Sequence, residues 1–186
     1  MLTKFSSDLV NDHIPHDYGN IWFEEETAGP NRLIVAPSSA HINLMLDLAR
    51  HIHPPYHCLY VLLLSRGDRH DTGRYESPLI ETYDELCDFC NRFKSYLESD
   101  GRHHFWIGAP DDNGLLVYDQ HNVIYAYGPL QQFKEFLLSK GFKRQKVKFP
   151  APHAHKYHVE NDPTEEELIK YWKWRVFPLQ EGDEWD

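Results

Sequence analysis

Residues 57–65, HCLYVLLLS, include the longest purely apolar run of the chain, VLLL at 61–64. They lack the polar/apolar alternation of a strand that has one face in water. A strand without alternation is typical of the interior of a sheet, where both faces are covered. We therefore expect residues 57–65 to form a core strand, with the other strands added on either side of it.

On both sides of this strand, helical patterns alternate with short strand patterns. Before it lie two strand patterns, 20–27 and 32–36, joined by a Gly-Pro-Asn turn. They are followed by a helix that Ser38 or Ser39 could cap and that Pro54 and Pro55 end. After it come a charged loop (66–77), a helix with an apolar stripe (78–97), a strand (103–108), a hairpin (115–127), a helix (129–141), a basic edge strand (144–149) and a last helix (164–175).

This order predicts one α+β domain spanning residues 1–186. Helices that alternate with hairpins pack on a largely antiparallel sheet, here of about five to seven strands with about four helices. The stretch 57–149 could form a ferredoxin-like core with one added strand.

The charge balance limits the classes of partner. Nineteen Lys and Arg against 29 Asp and Glu give 19 − 29 = −10, which repels nucleic acid and favours a protein partner with a basic surface. No apolar run approaches the roughly 18 residues of a membrane helix, and the N-terminus has no signal-peptide core. We expect a soluble cytoplasmic protein, and the sequence leaves its oligomeric state open.

Cys87 and Cys90 form a C-x-x-C pair that superficially resembles a redox motif. Both positions fall on the apolar stripe of the predicted helix 78–97, well inside it, whereas redox chemistry favours an exposed helix N-terminus. The pattern therefore predicts two buried, inert thiols.

The densest polar cluster is PHAHKYH at 152–158, with His153, His155 and His158. Imidazoles are common transition-metal ligands, and an H-x-H pair in an extended segment points both rings to one side. His158 needs a turn to join them, and Glu160 or His103 could replace it as third ligand. The spacing matches no standard zinc motif, and a Pro-rich surface segment whose rings pack or are solvated is the favoured interpretation, with the metal site as the alternative.

Two further groups are candidates for contacts with a partner. The charged loop contains Arg69, His70 and Arg74, which could bind an anion or simply pair among themselves. In the hairpin, Tyr125 and Tyr127 share one strand face, which could be a partly exposed aromatic surface. Three tryptophans near the C-terminus could extend that surface, although we expect the first of them to dock the last helix: Trp172, Trp174 and Trp185.

Two hypotheses of function follow from these patterns. The first is an acidic interaction module without a cofactor, similar only in composition to small acidic inhibitors such as bacterial immunity proteins. The alternative is a metal-dependent enzyme, a hydrolase that uses His153, His155 and His158 with a divalent transition metal such as zinc. Neither Gly-rich phosphate-binding motif is present, so nucleotide chemistry of those kinds has no support.

Overall fold

The computed structural model describes residues 2–7 and 14–183. This part of the chain contains four α-helices: α1 (His41–Ala49), α2 (Tyr83–Ser99), α3 (Leu130–Ser139) and α4 (Asp162–Tyr171). It contains eleven strands: β1 (Phe5–Ser6), β2 (Ile21–Glu25), β3 (Arg32–Ala36), β4 (His57–Leu62), β5 (Gly73–Glu76), β6 (His103–Ala109), β7 (Gly114–Tyr118), β8 (Ile124–Tyr127), β9 (Lys143–Arg144), β10 (Ala154–His155) and β11 (Arg175–Phe177). The predicted α+β class is confirmed.

Nine of these strands form one sheet in the order β11-β5-β4-β6-β7-β8-β3-β2-β9. Neighbouring strands are antiparallel except β2 and β9, which pair in parallel through two residues. β1 and β10 form a separate two-stranded ribbon. The main sheet is therefore larger than the five to seven strands that the sequence predicts, although β4 is an interior strand as expected.

The ferredoxin-like core is a wrong prediction. That fold needs a helix that connects two parallel strands, but in the described residues between β4 and β8 every neighbouring pair is antiparallel. The cause is β5, which lies inside the predicted charged loop and pairs with β4. Because β5 reverses the chain before α2, β6 returns antiparallel to β4.

The two faces of the sheet have different neighbours. On one face, Tyr60, Phe105 and Leu116 belong to the main hydrophobic core, which includes the inner sides of α1 and α2. Residues of opposite orientation, such as Trp106 and Tyr125, lie on the other face. A smaller cluster covers part of that second face: Phe5, Tyr18, Ile21, Ile34, Ala36, Val123 and Val147. The uncovered part of the second face forms a cavity.

The ends of the helices differ in how their free amides are satisfied. Thr82 caps α2, because its Oγ1 accepts a hydrogen bond from the Glu85 amide at 3.2 Å. The predicted serine cap of α1 is not formed: Ala40 occupies the N-cap position in a left-handed conformation, without a side-chain cap. Instead, the Ile42 amide donates to Oε1 of Glu98, from the last turn of α2, at 2.8 Å.

The three cysteines carry free thiols. Cys58 and Cys90 are fully buried, and burial raises the pKa of both thiols. Cys87 is only partly buried, so the prediction of two buried thiols is right for one member of the pair. None of the helices in residues 2–7 and 14–183 is both long enough and apolar enough to cross a membrane.

Candidate metal centre

Three imidazoles converge at one end of the second sheet face. His121 follows β7, and His153 and His155 lie in and beside β10. One nitrogen of each ring lies within 4.8 Å of a nitrogen of each other ring, and the ring centroids are 4.8–5.2 Å apart. The chain thus brings the H-x-H pair together with a third histidine from a distant segment.

His121 owes its position to the turn that connects β7 and β8. Asp119 Oδ1 accepts hydrogen bonds from the amides of His121 and Val123, both at 2.9 Å. The Asp119 amide donates to the Val123 carbonyl, which closes the turn, and Asn122 takes a positive φ of 64°. This arrangement fixes the backbone of His121 before any ligand is present.

The same carboxylate orients the His121 ring. Asp119 Oδ2 lies 3.0 Å from Nδ1 of His121, so a proton on Nδ1 leaves the Nε2 lone pair free for a metal. Burial alone raises the pKa of the Asp119 carboxyl, but the hydrogen bond and charge of His121 outweigh it and lower that pKa. Asp119 therefore stays ionised behind the ring.

His153 and His155 are held by the segment that pairs with the N-terminal strand β1. Nδ1 of His153 donates to the Pro150 carbonyl at 2.9 Å, which again leaves Nε2 as the metal-binding nitrogen. Nδ1 of His155 is buried and has no hydrogen-bond partner in the described part of the chain. Burial lowers the pKa of His155 to about 4, with smaller contributions from His121 and His153, so this ring is neutral at pH 7.

The ring of Phe5 packs against all three imidazoles. Its centroid lies 5.4 Å from that of His121, 5.3 Å from His153 and 5.6 Å from His155. This apolar contact excludes water from one side of the cluster. Zinc binds imidazole nitrogens at about 2.0–2.1 Å, so a tetrahedral site needs nitrogens about 3.3 Å apart. The three nitrogens lie within 4.8 Å of one another, so the rings would have to move closer to bind one ion.

His158 lies outside this cluster. Its Nε2 donates to the Thr3 carbonyl at 2.8 Å, and its amide donates to Asp100 at 3.3 Å. The other third ligands that the sequence suggested also lie elsewhere. Glu160 is exposed, and His103 is buried on the opposite face of the sheet, against Tyr60 and Tyr96.

Beside the imidazoles lies a cavity of about 410 Å³, within the roughly 300–1,000 Å³ typical of small-molecule sites. The cavity is lined by the sheet face and by two covering segments: Arg32, Arg74, His104, Trp106, Leu115, Val117, Asp119, His121, Tyr125, Tyr127, Phe149, His153 and Glu181 to Asp183. Nε2 of His104 is buried without a hydrogen-bond partner in the residues described. Burial lowers the pKa of His104 to about 4, so its ring is neutral.

The residues predicted to contact a partner are divided between two places. Tyr125, Tyr127 and Arg74 line the cavity. Arg69 and His70 lie on the other side of the sheet and pair with Asp162 and Glu166 of α4, at 3.4 and 2.9 Å.

The C-terminal tryptophans do not extend the tyrosine surface within the described chain. Trp172 stacks on Phe89 of the main core at a centroid distance of 4.1 Å, and Trp174 packs beside it. Trp185 lies outside the described residues.

Three polar residues of this region were not recognised from sequence: Asp119, His121 and His104. A local signal exists for the first two, because Asp-x-His in a turn places a carboxylate beside an imidazole two residues later. His104 carries no such signal, since strand alternation alone cannot say which of His103 and His104 faces a cavity.

No protein-family model, curated protein or solved structure matches this chain. The class that fold and site define is thus an α+β protein with a three-histidine cluster beside a cavity, and function has to be argued from that chemistry.

Proposed function

We propose that this protein is a metal-dependent enzyme, a hydrolase whose divalent transition metal is bound by His121, His153 and His155. The observation that carries the proposal is the convergence of these three imidazoles, with the Asp119 carboxylate behind one of them. Three histidines with a carboxylate as outer partner are a donor set that suits zinc.

The surroundings of the cluster favour a catalytic over a structural metal. Structural zinc normally has four protein ligands, whereas catalytic zinc has three and keeps a position open for water or substrate. Here two of the three imidazoles, His121 and His153, line a cavity of small-molecule size. A metal bound there would supply a water molecule of lowered pKa, which is the nucleophile of metal-assisted hydrolysis.

His104 is the residue best suited to assist that chemistry. It lines the same cavity and is neutral at pH 7, and its Nε2 has no hydrogen-bond partner among the described residues. A neutral imidazole can accept a hydrogen bond from a reacting group or from water, and the lowered pKa of His104 keeps it unprotonated while it does so. Its cross-strand neighbour is the site residue Asp119, because β6 and β7 pair Phe105 with Tyr118.

The test is the metal content and zinc affinity of untagged protein. We expect one zinc per chain, and a loss of affinity of at least 100-fold in His121→Ala and in the His153→Ala/His155→Ala double variant. His53→Ala is the control, since its side chain is 83% exposed. His158→Ala should also retain zinc. Unchanged affinity in His121→Ala, or protein that binds no divalent metal, would refute the proposal.

The interaction module, which the sequence favoured as the leading hypothesis, has the net charge of −10 as its support. The residues predicted to contact a partner supply no additional support. Arg69, His70 and Arg74 each pair with an acidic residue of the same chain, and the two tyrosines face the cavity. The metal-dependent enzyme is therefore the better-supported function.

A further inference from the structure

A carboxylate of the protein itself lies in the cavity beside the histidine cluster. Asp183 is only 3% exposed, and its two oxygens face the guanidinium of Arg74. Nε of Arg74 donates to Oδ2 at 2.9 Å, and Nη2 donates to Oδ1 at 2.9 Å. This is the two-pronged geometry in which arginine binds carboxylates most specifically.

The segment that delivers Asp183 follows the strand at the edge of the main sheet. β11 pairs with β5 at the edge of the sheet, and all three of its residues are exposed. Beyond it the chain turns back, so that Glu181, Gly182 and Asp183 cover part of the cavity. The Gln180 amide donates to Oδ2 of Asp183 at 2.7 Å, which closes this turn. The Arg74–Asp183 pair is the main polar attachment of the turn to the cavity wall.

We propose that the cavity binds a small aromatic carboxylate, whose carboxylate group takes the place of Asp183 on Arg74. The metal chemistry of such a ligand rests on the proposed function, whereas its binding to Arg74 does not. In the absence of ligand, Asp183 occupies the anion site as an internal competitor.

Charge in the cavity selects a monoanion. Arg74 is the one guanidinium that would be released when Asp183 leaves, because Arg32 is already bonded to Glu25 at 2.7 Å and to the Tyr127 hydroxyl at 2.8 Å. Asp119 and Glu181 also line the cavity and repel added negative charge. A single carboxylate is balanced by Arg74, whereas a phosphate dianion is not.

The aromatic residues that line the cavity favour a ligand whose remaining part is flat and apolar. Trp106 lies beneath the Arg74 guanidinium, whose carbon is 5.0 Å from the ring centroid. Tyr125, Tyr127 and Phe149 supply further aromatic surface, and Val117 lies between Trp106 and Tyr125 on the sheet. Aromatic rings stack on such walls with more than the energy of simple burial. A ring anchored through its carboxylate at Arg74 would share the cavity with the metal-binding imidazoles.

The test is calorimetric titration of the full chain with benzoate and 2-naphthoate, in chelator-treated and in zinc-loaded protein. We expect binding in both forms, at least tenfold weaker in Arg74→Gln and at least tenfold tighter in Asp183→Asn. Arg92→Gln is the matched control, because Arg92 pairs with Glu167 at the surface and does not line the cavity. It should bind like the wild type.

Three ligand controls define the chemistry. Benzyl alcohol lacks the charge, cyclohexanecarboxylate has a saturated instead of an aromatic ring, and phenyl phosphate carries a second negative charge. Each should bind chelator-treated protein at least tenfold more weakly than benzoate does. If Arg74→Gln does not fold, Arg74→Lys can be used instead. It keeps the positive charge but cannot bind a carboxylate through two parallel N–H groups, so it should still weaken binding.

The proposal is overturned if benzyl alcohol binds as well as benzoate, or if Asp183→Asn binds no tighter than wild type. Binding of benzoate by chelator-treated protein that cannot bind zinc would leave this inference standing and refute the metal enzyme. Zinc binding without any binding of benzoate would refute this inference and leave the proposed metal site standing.

Discussion

At the scale of single residues, Asp119 has the largest leverage on the candidate site. It fixes the backbone of His121 through two amides and the ring through Nδ1. Outer-shell carboxylates of this kind typically contribute 10- to 100-fold to metal affinity. We expect Asp119→Asn to lose zinc affinity by that factor in a competition titration with a chelating dye.

The chain provides a matched control for this substitution. Asp112 Oδ2 lies 3.0 Å from Nδ1 of His53, the same distance as in the Asp119–His121 pair, but on the surface. Asp112→Asn should leave zinc affinity unchanged. Equal affinities in both variants would show that Asp119 has no role in the centre.

Lys4 is a residue whose burial costs stability. It is 0% exposed, its Nζ donates to the Leu97 carbonyl at 3.4 Å, and it lies 3.9 Å from the centre of the Tyr118 ring. Burial lowers the pKa of Lys4 to about 7, against the opposing attraction of Asp119 and Asp100. We expect Lys4→Met to raise the free energy of unfolding at pH 7 by roughly 2–4 kcal/mol, since one pKa unit corresponds to about 1.4 kcal/mol.

The sign of the pH dependence tests the cause. Between pH 10.5 and 7 the unfolded chain binds the Lys4 proton and the folded chain does not, so wild-type stability decreases as pH falls through this range. The advantage of Lys4→Met should thus be largest at pH 7 and shrink towards pH 9.5 in urea titrations. An advantage that does not vary with pH would mean that packing, not the buried charge, is responsible.

At the scale of secondary-structure elements, we expect substitutions at the N-termini of α1 and α2 to have different effects on stability. Thr82→Ala removes the cap of α2 and should lower the free energy of unfolding by about 1 kcal/mol. Ser39→Ala should change it by less than about 0.5 kcal/mol, because Ser39 does not cap α1, whose Ile42 amide bonds to Glu98 instead. Chemical denaturation measures both, and a larger effect for Ser39→Ala would contradict the structure of this helix end.

Helix α2 also separates its two cysteines by exposure. Cys90 faces the core and Cys87 is partly exposed, so a thiol reagent should label Cys87 in the native protein. Cys58 and Cys90 should react only after denaturant is added. The folded Cys87→Ser variant should not react with the reagent. Labelling of the folded variant would show that one of the other two thiols is accessible.

At the scale of the whole molecule, buried neutral histidines predict sensitivity to acid. Burial lowers the pKa of His41 to about 3, of His104 and His155 to about 4, and of His103 as well. In the unfolded chain these rings protonate near pH 6.5. Stability from these groups is therefore complete above pH 6.5 and is lost as pH falls towards 4.

Urea titrations between pH 7.5 and 5 should show this loss as uptake of more than one proton on unfolding. Glu98 and Glu165 act in the opposite direction, because burial raises the pKa of both carboxyls. These two carboxyls oppose four histidines, so we expect net proton uptake on unfolding from pH 6.5 to about 5. A free energy of unfolding that stays constant over that range would contradict the burial of these rings.

The sequence alone determined the features that depend on local periodicity. The absence of alternation at 57–65 predicted an interior strand, the apolar stripe predicted α2, and the alternation of the last hairpin strand placed Tyr125 and Tyr127 on one face. It also placed His153 and His155 on one side of an extended segment. These features follow from the twofold and 3.6-fold repeats of the backbone, which act over a few residues.

Only the tertiary structure decided which distant groups meet. The third histidine of the cluster is His121 and not His158. The Glu98 side chain caps α1, and Asp183 pairs with Arg74. It also revealed β5, whose four residues are polar enough to resemble a loop until β4 and β11 pair with them. Such contacts join segments that are far apart in the chain, and their partners are set by the order of strands in the sheet, which local sequence patterns do not specify.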